Sequence, residues 1–154
     1  MRLYLAGPDV FRPDAQAWAE EARALCTRFG HQALIPLDNE ETTAPGIYHG
    51  NIAMLRSADG IIANLNPFRG YEPDSGTCVE VGFALALGKP VVGYLEDGRS
   101  QVEKLLGVAQ PAEARPLGPD GLFVENFGHP VNLMLAIPLI LVTGSLADAL
   151  ARIT

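Results

Sequence analysis

Cysteine is scarce in this sequence: Cys26 and Cys78 are its two thiols, too few for a disulfide framework or a four-thiolate zinc site. Charge is sparse too, at 19% of 154 residues, with 18 acids against 11 bases and a net charge of −7. Nucleic acid and anionic membranes both reward clustered Lys and Arg, so neither is an expected partner. No apolar run approaches the roughly 18 residues of a membrane span. The longest, 131–142, has 12 residues and is interrupted by Asn132 and Pro138. The opening Met1-Arg2-Leu3-Tyr4-Leu5-Ala6-Gly7 holds one basic residue and a short apolar stretch broken by glycine, too little for a secretory signal. A reduced, cytoplasmic protein is the expectation. No Gly-x-Gly-x-x-Gly follows the first apolar run and no Walker A sequence occurs, so a dinucleotide or a nucleoside triphosphate lacks its usual cradle. The histidines His31, His49 and His129 show no metal-ligand spacing, and no Ser-His-Asp arrangement can be assembled.

What is present is a folding chain. Hydrophobic residues make up 48% of it, and Gly 16 and Pro 12 supply many turns, a composition that excludes disorder. The length suits one domain, 1–154, around one core. Short apolar runs at 3–6, 33–35, 60–65, 90–95 and 139–142 read as strands. Between them lie helical stripes: Trp18, Ala22, Leu25 and Phe29, bounded by Asp14 and Gly30; then Tyr48, Ile52 and Leu55; then 77–87. A short helical piece precedes Pro138, and a last helix follows Ser145. The stretch 97–120 is low in apolar pattern. Strand and helix in alternation predict an α/β domain with a single doubly wound five-stranded parallel sheet, flavodoxin-like or Rossmann-like, with helices on both faces. Ligands of such sheets bind beyond the carboxyl ends of the strands, where strand order reverses.

The loops at those ends are acidic. Asp9 follows the first strand, Asp38, Glu40 and Glu41 the second, and Glu72 and Asp74 the third, against Arg12 and Arg69. Glu80 is the only charged residue between Asp74 and Lys89, in the run Cys78-Val79-Glu80-Val81-Gly82-Phe83-Ala84-Leu85-Ala86-Leu87. A helix apolar on every side is normally buried, and a buried carboxylate needs partners. An exposed glutamate favoured by the helix dipole is the alternative. Asp74, six residues earlier, either caps this helix or presents a second carboxylate to the same pocket. Two carboxylates in unequal environments are the usual equipment for breaking a glycosidic bond. Asn132 stands alone in an apolar run, as a satisfied core amide or a functional one, and Asn51 reads as a surface residue at the edge of the second helix.

These residues resemble the nucleoside 2-deoxyribosyltransferase family. The likeness runs through Tyr4-Leu5-Ala6-Gly7-Pro8 with Phe11, Pro36-Leu37-Asp38-Asn39-Glu40, Asn51 with Asp59, and Ala63-Asn64-Leu65. It continues in Pro67-Phe68-Arg69-Gly70, in Asp74 followed by Glu80 and Gly82, and in Asn132-Leu133-Met134. The specific parts are the Asp-x5-Glu-x-Gly block and the Asn-Leu-Met block; the protozoan-like branch also reads Pro-Phe-Arg-Gly. The resemblance implies that Glu80 is the nucleophile at C1′ of the deoxyribose and Asp74 a second catalytic carboxylate. Substrate-binding roles are implied for Tyr4 beside the nucleophile, Phe11 and Glu40 at the base, and Asp38, Asn51 and Met134. Asn132 would reach the sugar from a neighbouring subunit of a homodimer or dimer-based oligomer. The implied partners are 2′-deoxynucleosides and free nucleobases, with no metal or organic cofactor. A 2′-deoxynucleoside 5′-monophosphate N-glycosidase and a non-catalytic nucleoside-binding module are the rival readings.

Overall fold

In a computed structural model that describes residues 1–153, strand β1 (Arg2–Ala6) sends alternate side chains to opposite faces of a central sheet. Tyr4 and Ala6 join one apolar cluster with Leu34, Ile61 and Ala63. Leu3 and Leu5 join another with Ala33, Ile62 and Val92. A sheet buried on both faces needs strands apolar at every position, and β3 (Gly60–Asn64) and β4 (Val91–Leu95) are buried along their whole length.

With β2 (Gln32–Leu34) and β5 (Ile140–Thr143) these strands form one sheet in the order β2-β1-β3-β4-β5, every pairing parallel. This is the flavodoxin-like order, whose reversal lies between β1 and β3. Helices α1 (Ala15–Arg28) and α6 (Leu146–Leu150) cover the Leu3 and Leu5 face through Ala22, Cys26 and Leu150. Helices α2 (Ala44–Ser57), α3 (Ser75–Ala86) and α5 (Leu133–Ala136) cover the Tyr4 face through Leu55, Val81, Ala84 and Leu135. The alternating α/β architecture expected from the sequence is the one observed.

Three local expectations are corrected. The stretch 97–120 contains helix α4 (Gln101–Leu106). Its start is a capping box in which the Glu103 carboxylate accepts from Ser100 N at 2.9 Å and Ser100 Oγ accepts from Glu103 N at 3.3 Å, so the signal was Ser-x-x-Glu rather than apolar period. Asp14 stands at the N-cap position of α1 but makes no cap bond, because Arg12 takes both its oxygens at 2.9 Å. Helix α3 is not buried all round: Val81 and Ala84 are buried, whereas Val79 is 61% exposed and Gly82 faces outward. One sheet face can cover only one side of a helix, and the other side of α3 stays apolar and bare.

Candidate active site

The loop after β3 ends at Asp74, whose Oδ2 accepts from Thr77 N at 2.9 Å and from Thr77 Oγ1 at 3.1 Å. This cap starts α3 and fixes the carboxylate at its mouth. Rather more than one turn later, Glu80 points back toward β1, where the buried Tyr4 hydroxyl donates to Glu80 Oε1 at 2.5 Å. Both readings of Asp74 therefore hold together, since one oxygen caps the helix while the residue lines the same cleft as Glu80.

Burial pushes the Glu80 carboxyl up to about 7, the Tyr4 hydrogen bond pulls it down, and the nearby Asp74 charge raises it again. Burial and the Glu80 charge hold the Tyr4 phenol far above its ordinary range, so Tyr4 remains a donor at any working pH. Glu80 therefore titrates well above the ordinary carboxylate range, in contact with a permanent donor. Replacing Tyr4 with Phe removes the one interaction that favours the carboxylate while leaving the burial. The acidic limb of activity against pH is expected to move upward by about one pH unit. An unshifted limb in a folded Tyr4→Phe variant would show that this bond does not tune Glu80.

These groups open into a cleft of ≈ 370 Å³ at the reversal of strand order. Gly7, Val10 and Phe11 form its wall after β1, Asp74, Thr77 and Glu80 its wall at α3, and Leu37, Asn39, Glu41, Ile47 and Asn51 the wall contributed by the β2–α2 segment. A hydrogen-bonded frame underlies it. Asp9, nearly buried, accepts from Asn64 Nδ2 at 2.8 Å, Asn64 Oδ1 accepts from Asn66 Nδ2 at 2.8 Å, and Asn66 Oδ1 accepts from Glu96 N at 2.9 Å. The chain of bonds ties together the segments that follow β1, β3 and β4. Gly7 must be small here, because a Cβ would come within 2.9 Å of Asn64 Cβ and 3.0 Å of Asp9 Oδ2. Sequence reasoning missed this frame; its signal was Asn64, a polar residue closing an otherwise apolar strand.

Of the residues singled out from the sequence, Glu80, Asp74, Phe11 and Asn51 line the cleft and Tyr4 lies against Glu80. Asp38 does not face it. Its carboxylate closes the turn Pro36–Asp38 by accepting from Ile35 N at 3.1 Å and pairs with Arg23. Glu40 lines a shallow hollow together with Asp38, Asn39, Glu41 and Thr42, and of these only Asn39 and Glu41 line the cleft as well. Asn132 and Met134 lie outside it. Asn132 Nδ2 donates to Glu125 Oε1 at 2.7 Å and its Oδ1 accepts from Met134 N at 2.9 Å, while the Met134 side chain is exposed. Among the described residues no group of three or more His, Cys, Asp or Glu is arranged to hold a metal ion, and no helix is long and apolar enough to cross a membrane.

A protein-family model described as nucleoside 2-deoxyribosyltransferase matches residues 3–134. The solved structure of a 2-deoxyribosyltransferase from Leishmania mexicana is 44% identical and superposes with a TM-score of 0.83 over 97% of this chain and 94% of that one. An uncharacterised protein of Schizosaccharomyces pombe is 34% identical over 155 residues, spanning 86% of this chain and 74% of its own length. A 2-deoxyribosyltransferase from Bacillus psychrosaccharolyticus, at 22% identity and a TM-score of 0.50 over 61% of this chain and 72% of its own, shares the fold.

Proposed function

The chain belongs to the nucleoside 2-deoxyribosyltransferase family, and on that premise we propose that it moves the 2-deoxyribosyl group of a 2′-deoxynucleoside from one nucleobase to another, with water as a competing acceptor. The observation that carries the mechanism is the pair of unequal carboxylates, Glu80 held by Tyr4 and Asp74 held by its cap, in one cleft. Ionised Glu80 attacks C1′ and the electron pair of the glycosidic bond leaves with the base, giving a covalent deoxyribosyl-glutamate with inversion. The departing base takes a proton through Asp74 or water; Asn51, an amide, has none to give. A second base attacks from the vacated side, the bond to Glu80 breaks, and the net outcome is retention. Positive charge developing on the sugar is stabilised by the acids around it. Incubation with deoxyinosine and free adenine or cytosine, followed by chromatography, tests the reading. A new deoxynucleoside is expected, and release of hypoxanthine alone would favour a hydrolase.

The same cleft favours nucleosides over their monophosphates. Glu41, Asp74 and Glu80 line it and, among the described residues, no basic side chain does. Each acid repels a 5′-phosphate by about 1 kcal/mol at ~4 Å in water-like screening, and by more in a drier site. The expected result is a higher kcat/KM for a deoxynucleoside than for its 5′-monophosphate. The reverse order would support the monophosphate glycosidase.

Assembly belongs to the same proposal. Met134 is 73% exposed, Ile137 68% and Ile140 46%, so α5 and the outer strand β5 present an apolar strip. Such a strip covered by a second copy gives a symmetric dimer, with Asn132 delivered to the neighbour's sugar site. A cytoplasmic location and the absence of nucleic-acid partners complete the reading.

A further inference from the structure

Three side chains of the β2–α2 segment line the cleft with a defined hydrogen-bond pattern. Asn39 Nδ2 donates to Ile47 O at 3.0 Å and to Asn51 Oδ1 at 3.2 Å, and Asn39 Oδ1 accepts from Glu41 N at 3.1 Å. One amide thereby sets both its neighbours. The Asn51 oxygen is turned toward Asn39, which leaves the Asn51 N–H groups as the free donors of that side chain. The backbone at Glu41 is drawn in, and Glu41 borders both the cleft and the shallow hollow beside it, whereas Glu40 borders the hollow and not the cleft. Space has been kept for Glu41: a Cβ on Gly46, in the first turn of α2, would stand 2.3 Å from Glu41 Oε2. The Glu41 carboxylate makes no ion pair and accepts no hydrogen bond among the described residues, in contrast to Asp38, which Arg23 and Ile35 N occupy.

An ionised carboxylate with no donor of its own can only accept. Beside a donor amide it matches a base edge that offers an N–H next to a lone pair. We propose that Glu41 reads the nucleobase by accepting from its exocyclic amino group, with Asn51 donating to the adjacent ring nitrogen, so that amino-bearing bases are the favoured acceptors. This rests on the transferase reading above and deepens it. A base without the amino group leaves the Glu41 carboxylate without its partner, which discriminates against that base by about tenfold.

The test compares adenine with unsubstituted purine, which lacks the amino group without adding bulk, as acceptors for wild type, Glu41→Gln, Glu41→Ala and Glu40→Gln. Wild type and Glu40→Gln are expected to prefer adenine by about tenfold. Glu41→Ala should bring the two bases to within about threefold of each other, and Glu41→Gln, which keeps an uncharged acceptor, should fall between alanine and wild type. Unchanged preference in Glu41→Ala, no preference in wild type, or its loss in Glu40→Gln alone would overturn the assignment. Calorimetric binding of the same two bases gives the same ratios without turnover. Absence of transfer with the binding preference intact would therefore count against the transferase reading and not against Glu41.

Discussion

Replacing Glu80 with glutamine is expected to abolish both transfer and hydrolysis and, above neutral pH, to make the protein more stable. Glutamine keeps the shape of the side chain and the acceptor that Tyr4 addresses, but its amide is no nucleophile, so the rate should fall by at least about a thousandfold. The stability change follows from linkage. The Glu80 carboxyl has an ordinary value of 4.5 and stands at about 7 in the folded protein, chiefly through burial. Between those values the folded state binds more protons than the unfolded one, so stability falls as pH rises through the window, and the full penalty is present above about 7. At ~1.4 kcal/mol per pH unit this amounts to roughly 3–4 kcal/mol, which a neutral side chain does not incur. Wild type and Glu80→Gln should therefore unfold alike near pH 4 and differ at pH 8, with the variant the more stable. A tenth of the wild-type rate in a folded variant would sink the covalent mechanism. Support would come from the intact mass of wild type mixed with deoxynucleoside and no acceptor, which should rise by one deoxyribosyl group.

Mixing two inactive proteins is expected to restore activity. Asn132 is bonded to Glu125 and lies outside the cleft of its own chain, so a role at the sugar requires a neighbour's cleft. Asn132→Ala should leave α5 with its Glu125 cap at Leu133 N, 2.9 Å, while removing the amide from the shared site. When Glu80→Gln and Asn132→Ala subunits exchange in equal amounts, half of the dimers are hybrids, and each hybrid has one site with both residues intact. Activity should return toward a quarter of wild type. Exchange demonstrated by mass or fluorescence, with no recovery, would confine Asn132 to its own subunit or remove it from the chemistry.

Regular elements made part of this site legible from residue order. In β1 the side-chain period of two places Tyr4 on the same face as Ala6 and opposite Leu3 and Leu5. An isolated carboxylate in an apolar run marked Glu80 before any contact was known, and Asp74 stands at the N-cap of the same helix. The alternation of strand and helix likewise fixed the fold class, because crossover helices impose parallel strands.

Where no period links residue number to direction, only the folded chain decided. Between Asp38 and Glu41 the acids are near neighbours in sequence, yet Asp38 closes a turn with Arg23, Glu40 borders only the outer hollow and Glu41 reaches the cleft as well, because Asn39 holds the loop through partners 8 and 12 residues away. Glu125 beside Asn132, the Asp9–Asn64–Asn66 frame and the choice of the β2-β1-β3-β4-β5 order over other doubly wound orders are decisions of the same kind. Sequence alone determined the fold class, through the alternation of strand and helix, and marked Glu80 and Asp74 through the expense of burying a lone charge, while the role of nucleophile is what the family resemblance implies. Tertiary structure decided which loop side chains meet the substrate, since their directions are set by hydrogen bonds between residues that local order does not relate.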